Sequence, residues 1–237
     1  MIRTRNLVVT AQTLVALEAF STLNPAEREK IAPHFHGRRY AVGEFVIRQH
    51  ESDHGVYFVV TGSVRVTFFS ETERHVSFRD LEAGAMFGEL SALDGDPRSA
   101  EVESLDSTFV VSLSQSHYLK LLTEYPSLAN YVMRRLARLV RLLTNRVIEI
   151  STLGVNNRVH AELLRLARAA NPENNQATIK VMPTNEEFAR RISTHKEAVS
   201  REITRLVKRG LIQRMPKHVL KVLDIKEIAW LVKDGGG

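Results

Sequence analysis

The spacing of apolar and polar positions changes period along the chain, and the changes mark its parts. Asn24-Pro25-Ala26-Glu27 places a capping residue, a proline at the first helical position and a glutamate at the third. That arrangement predicts a helix running to about Phe35. From His36 to about Leu113 the period shortens to β-rich runs: Glu44–Ile47, Val56–Val60, Ser63–Phe69 and Phe109–Leu113. Gly43, Gly55, Gly62, Gly84 and Gly88 punctuate them. Short strands at near-even spacing with turn residues between them predict a sandwich or roll.

Helical periodicity returns at Gln115–Glu124, and Pro126 then opens a long helix to about Ile150. Its apolar positions, Leu128, Val132, Leu136, Leu139, Leu143, Val147 and Ile150, are three and four apart, a heptad-like seam. Arg134, Arg135, Arg138, Arg141 and Arg146 lie mostly off it. The seam predicts a two-chain coiled coil and hence a homodimer; a helix packed on its own domain is the alternative. Gly154 and Asn156-Asn157 mark a hinge, a helix follows over Arg158–Ala169, and Asn171–Asn175 is a turn. A strand at Thr178–Val181 leads to two short helices and a hairpin, Ile212–Arg214 with Val219–Leu223. The closing Asp234 and three glycines read as a frayed tail. The expected fold class is α+β: an N-terminal β-roll (residues 1–125), a long dimerisation helix (126–152) and a C-terminal winged helix-turn-helix (153–237).

Charge divides the chain in the same way. Residues 1–125 carry 12 Lys/Arg against 17 Asp/Glu, whereas residues 126–237 carry 21 against 10. A basic second half beside an acidic first half points to a polyanion met only by the second, the alternative being a solvated basic surface. The absence of cysteine excludes disulfides, thiolate zinc sites and iron–sulfur centres. No apolar run reaches membrane-spanning length, so no membrane partner is expected. The N-terminal stretch lacks the apolar segment and cleavage site of a secretory signal, which predicts a cytoplasmic protein. Nine histidines occur without an HExxH pattern, and His34 and His36 are only two apart, so no metal is expected. No nucleophile–base pair stands out, and no enzyme activity is expected.

Two motifs carry chemistry. The first runs from Phe87 to Ala100. Gly88 leaves room for backbone N–H groups to approach an anion, and Leu90-Ser91-Ala92-Leu93 can form a helical turn whose N-terminus faces it. Arg98 offers a planar fork to phosphate oxygens, and Ser99 adds a hydroxyl. Glu89 is wrong for a phosphate but suited to a ribose hydroxyl. The alternative is that Glu89 and Arg98 merely pair across a loop. This stretch resembles the phosphate-binding cassette of cyclic-nucleotide-binding domains, with Gly43-Glu44 and Tyr57-Phe58-Val59 before Gly62 matching the same β-roll.

The second motif runs from Thr184 to Gly210. Thr184 and Glu187 form a capping box, and Phe188, Ala189 and Ile192 give an apolar face. Ser193-Thr194-His195 makes a turn, and Val199, Ile203, Leu206 and Val207 line a second helix that Gly210 ends. The candidate DNA contacts are Thr184, Thr194, His195, Lys196, Glu197, Ser200 and Arg201. Arg201 matches guanine O6 and N7, and Glu197 matches cytosine N4. A solvated charged helix face is the alternative. The motif resembles the winged-helix domain of the CRP/FNR family of bacterial regulators.

Over about residues 20–225 the resemblance implies a cytoplasmic, homodimeric transcription factor. It implies cyclic AMP as the ligand, a palindromic DNA operator and RNA polymerase as a partner. Carried onto this chain, it places the ligand on Gly88, Glu89, Leu90, Ser91, Arg98 and Ser99, with Thr144 and its neighbour Asn145 touching the base. Leu139 and Leu143 depart from the family's pattern at this end of the site, and Ser99 suits a guanine in syn, so cyclic GMP is a second ligand to test. A haem sensor bound through histidine is a further option, against which the intact cassette argues. The alternatives are a regulator of the same fold not gated by a cyclic nucleotide, and a cyclic-nucleotide-binding module of an enzyme.

Overall fold

The computed structural model describes residues 7–69 and 75–234. The expected tail at Gly235–Gly237 lies outside the described residues. The chain forms two compact units, Met1–Leu139 and Val140–Gly237.

The first unit opens with helices α1 (Ala11–Val15) and α2 (Pro25–Ile31). The capping box of α2 is in place: Asn24 Oδ1 accepts from the Glu27 N–H at 2.9 Å, and Glu27 Oε2 accepts from the Asn24 N–H at 2.8 Å. Regular α-helix ends at Ile31, earlier than expected, and Pro33 sits in a 3₁₀ turn, Ala32–His34. A proline lacks the N–H needed to continue the α-helical ladder.

The roll follows as β1 (His36–Tyr40), β2 (Phe45–Ile47), β3 (Val56–Thr61), β4 (Ser63–Phe69), β5 (His75–Glu82), β6 (Met86–Phe87), helix α3 (Glu89–Asp94), β7 (Glu101–Ser104) and β8 (Thr108–Leu113). Two four-stranded antiparallel sheets result, ordered β1-β8-β3-β6 and β2-β7-β4-β5. Between them lies an apolar layer that includes Tyr40, Ile47, Val59, Val64, Phe87, Val102 and Val110. Phe20, Phe35 and Phe58 form an aromatic cluster with centroids 5.1–6.0 Å apart, one pair edge-on and two tilted, which avoids the unfavourable face-to-face stack.

Helix α4 (Gln115–Glu124) leads into α5 (Pro126–Thr152). Leu128 and Val132 are buried in the first unit's core, so the early part of the expected seam packs on its own unit. Further along, Met133, Val140, Leu143, Val147 and Ile150 are exposed. No helix among the described residues is long and apolar enough to cross a membrane.

The second unit contains the end of α5, then α6 (Val155–Ala169), β9 (Ala177–Ile179), α7 (Asn185–Arg191), α8 (Lys196–Lys208), β10 (Ile212–Met215), β11 (Val219–Val222) and α9 (Ile225–Asp234). Sequence periodicity did not anticipate α9, whose Ile228 and Leu231 complete the core of α6, α7 and α8. The three strands form one sheet, β10-β11-β9. Glu162, buried on α6, contacts Arg165, lies 3.7 Å from Arg146 of α5 and 3.6 Å from Arg191 of α7. Glu149 of α5 meets Arg146 at 3.1 Å and Arg165 at 3.0 Å. This network holds the last turns of α5 against α6 and α7 across Gly154.

Candidate ligand and nucleic-acid sites

In the first unit, Gly88 sits at the turn from β6 into α3 with φ +80°. A Cβ there would stand 2.8 Å from Arg98 Nη1 and 3.0 Å from the Gly55 carbonyl oxygen. Only glycine combines that backbone conformation with so close an approach. Glu89 and Arg98 do not pair with each other. Arg98 is 3% exposed and donates Nη2 to Asp53 Oδ2 at 2.8 Å and to the Gly55 carbonyl at 2.7 Å. Its Nη1 donates to the Gly88 carbonyl at 3.0 Å, and its Nε is buried without a partner. Burial alone would raise the Asp53 pKa, but hydrogen bonds from Tyr57 (2.6 Å), Arg98 and the Gly55 N–H outweigh it and hold this carboxyl below the usual range. The Tyr57 hydroxyl is pushed up, first by burial and then by Asp53. An arginine oriented by three acceptors, with an orphaned donor beside a glycine cradle, fits an anionic oxygen ligand such as phosphate.

Glu89 is buried, and its Oε1 accepts from Arg135 Nε of α5 at 3.3 Å. Arg135 Nη2 also donates to the Met86 carbonyl. Leu90 and Ser99 are exposed, but Ser91 is not free as expected. Its hydroxyl donates to the Asp96 carbonyl at 2.7 Å and shares a 2.6 Å hydrogen bond with His54 Nδ1. Because its one proton goes to Asp96, Ser91 Oγ accepts from His54, and its side chain has no donor left for an anion. Thr144 and Asn145 are exposed on α5, in the second unit. Asp53, Tyr57 and Arg135 were not anticipated. Asp53 carries no motif, Tyr57 stood only in the strand pattern that matched the roll, and Arg135 stood among five arginines that spacing alone does not distinguish.

In the second unit, α7 and α8 form the expected pair. Thr184 Oγ1 accepts from the Glu187 N–H at 3.2 Å, and Glu187 Oε2 accepts from the Thr184 N–H at 3.0 Å. The turn places Ser193 at φ +52°, and the Thr194 N–H returns to the Ala189 carbonyl at 3.0 Å. His195 occupies the N-cap of α8, but its side chain makes no cap bond. His195, Lys196, Glu197 and Arg201 are exposed at the start of α8; Thr194 and Ser200 are half-buried. Val199, Ile203 and Leu206 are buried, whereas Val207 lies exposed, off the face assigned to it. That buried face carries Glu202 instead, whose Oε1 is 2.7 Å from the buried His160 Nε2. The β10–β11 turn has two left-handed residues, Lys217 (φ +59°) and His218 (φ +58°), and forms the wing tip.

Residues 37–125 match the cyclic nucleotide-binding domain family, and residues 157–229 match the Crp-like helix-turn-helix domain. A cyclic nucleotide-binding domain followed by a Crp-like helix-turn-helix domain defines a cyclic-nucleotide-binding transcription regulator, not an enzyme. The chain is 29% identical over 214 residues to the cyclic AMP receptor protein of Thermus thermophilus, spanning 90% of this chain and 94% of that one. It is similar in fold to the structure of a CooA mutant from Carboxydothermus hydrogenoformans (TM-score 0.74, 17% identity, 96% and 98% of the two chains). It is likewise similar to the cyclic di-GMP-responsive regulator CLP of Xanthomonas campestris (TM-score 0.70, 20% identity, 85% and 99%). The chain belongs to the CRP/FNR family of transcription regulators.

Proposed function

We propose that this regulator is a cytoplasmic homodimer whose DNA binding is gated by a 3′,5′-cyclic nucleotide, cyclic AMP or cyclic GMP. The observation that carries the ligand is Arg98, buried and oriented by Asp53, Gly55 and Gly88, with Nε unpaired beside the glycine cradle. An exocyclic phosphate oxygen is the complement of that donor. Glu89 takes the ribose hydroxyl, Leu90 and Ser99 border the phosphate, and Thr144 and Asn145 are candidates for the base. The dimer is supported by α5. Met133, Val140 and Val147 recur every seven residues and are 58–63% exposed. Three residues after each come Leu136, Leu143 and Ile150, the a/d pattern of a two-stranded seam. Two copies of α8 then meet half-sites of a palindrome about one helical turn, 34 Å, apart. RNA polymerase is the expected protein partner. The ligand acts by binding one arrangement of the dimer more tightly than another.

The test is calorimetric titration with cyclic AMP, cyclic GMP and cyclic di-GMP, followed by selection of DNA fragments with and without the tightest ligand. Binding of a 3′,5′-cyclic mononucleotide that sharpens selection is expected. Specific DNA selected equally well without any nucleotide would support a second reading, an ungated regulator, which the internal satisfaction of three Arg98 donors favours. A Val140→Glu/Val147→Glu double variant that still sediments as a dimer would remove the seam.

A further inference from the structure

Helix α8 carries a carboxylate on its buried side. Val199, Glu202, Ile203 and Leu206 are its buried residues, and their spacing sets them on one stripe. Three are apolar; Glu202, 4% exposed, is not. An unpaired carboxylate at such a position is costly, so it persists only with a partner. The partner comes from α6: His160, also buried, holds its Nε2 2.7 Å from Glu202 Oε1. A carboxylate only accepts, so Nε2 carries the proton and donates. The other ring nitrogen, Nδ1, is buried with no partner, so this is the imidazole's one hydrogen bond. Arg205 stands 3.7 Å from Glu202 Oε2, but its side chain is 62% exposed and water screens it.

Stability alone does not account for the pair. Apolar residues of similar volume at two such positions often stabilise a fold as well as a buried ionic pair, or better. What the contacts of Val199, Ile203 and Leu206 lack is direction, because apolar burial scales with area and is non-directional. A 2.7 Å hydrogen bond is directional, and it fixes the rotation and height of α8 against α6. Arg201, next in the chain to Glu202, and Glu197, one turn earlier, are exposed on α8. A helix with its side chains is about 10–12 Å across, so a rotation of about 15° about its axis carries a side-chain tip about 1.5 Å. A binding constellation tolerates only about 0.5 Å.

We propose that the His160–Glu202 pair positions the recognition helix: it sets the rotation of α8 so that Arg201 meets its base pair. It thereby governs how sharply the protein discriminates between sequences, and adds nothing to its hold on the phosphate backbone. The inference rests on the reading of α8 as the helix that meets DNA. It goes beyond that reading by assigning selectivity to two residues buried beneath the contact surface.

The test is fluorescence anisotropy of the full-length protein, with the tightest-binding nucleotide of the titration above, on three duplexes. These are the selected operator, the same operator with the G·C pair sensitive to Arg201→Ala exchanged, and a random sequence. The native protein should favour the operator over its exchanged form by about 5- to 150-fold, the worth of a bidentate contact. A His160→Leu/Glu202→Met double variant removes both polar partners together and should melt within about 5 °C of the native protein. Its affinity for the random duplex should stay within about twofold, with an unchanged salt dependence, because no phosphate contact is lost. Its discrimination should fall to about twofold or less. In an Arg201→Ala background the same double change should cost no further discrimination at that pair, an outcome that general loosening of the unit would not give. Glu202→Gln, whose amide oxygen still accepts from His160, should keep most of the native discrimination. A folded double variant with native discrimination overturns the inference. So does one that unfolds, or that loses affinity equally on all three duplexes, because the pair would then support the fold and not aim the helix. If the native protein binds all three duplexes alike, the DNA-reading role of α8 fails, and the inference with it.

Discussion

Arg98→Ala is the most informative single perturbation, because the structure gives this residue two roles with separable readouts. The guanidinium joins the 53–55 segment to the β6–α3 turn through three hydrogen bonds. The Asp53 side chain is 52% exposed, so water replaces that partner and the pair contributes about 0–1 kcal/mol. The Gly55 and Gly88 carbonyls each lose a charge-assisted bond worth about 1.5–3 kcal/mol. Relief of the buried, unpaired Nε offsets part of the loss. The net expectation is about 2–4 kcal/mol of destabilisation, confined to the first unit. At about 2–4 °C per kcal/mol, its unfolding transition should fall by about 5–15 °C. Differential scanning calorimetry of the full-length protein without nucleotide measures this, with Asp53→Ala as the comparison expected to fall far less. Ligand titration well below both transitions then reads the second role, where at least a 100-fold loss of affinity is expected. A transition within about 1 °C of the native protein's would refute the bridging role. Native affinity in a folded variant would refute the phosphate role.

Gly88→Ala should lower the same transition, because a left-handed backbone costs about 1–2 kcal/mol with a side chain and the new Cβ meets Arg98 and Gly55; a variant as stable as the native protein would show that the turn relaxes freely. Arg201→Ala should cost about 1–3 kcal/mol on the selected operator and relax preference at one G·C pair, measured by fluorescence anisotropy; an equal loss on all sequences would make it a phosphate contact. Asp53 is held below its ordinary pKa of about 4 when folded, so its contribution to stability is full above that value and disappears as pH falls through the lower folded value. Asp53→Asn should therefore flatten the acid limb of the first unit's melting temperature below about pH 4, and an unchanged limb would place the acid sensitivity elsewhere.

The departures from expectation have a common physical origin. Glu89 and Arg98 were read together because they lie nine residues apart around one turn, yet each found its ionic partner far away in sequence. Asp53 reaches the site from the segment before β3 and Arg135 from α5, and no local pattern encodes such pairings. The same holds for His160 and Glu202, a polar pair buried between α6 and α8. The seam of α5 shows the converse. Its heptad spacing was legible, but Leu128 and Val132 face the first unit's core, while Met133 and Val140 remain outside. Spacing defines a stripe; only the packed neighbours decide which side of it is already covered.

Sequence alone determined the order of the parts: the strand-rich roll, the long helix, and the helix pair with its wing. These are written in local signals, such as the capping boxes at Asn24 and Thr184, Pro126, and the periods of two and near 3.6. Sequence also marked Gly88 as a position without a side chain, but the left-handed backbone and the Gly55 carbonyl that require glycine there came only with the tertiary structure. The tertiary structure decided what each charge does. Burial raises the cost of an unpaired charge, so Arg98, Glu89, Glu162 and Glu202 each acquired long-range partners. Ser91, expected at the anion, gave its proton to Asp96 instead.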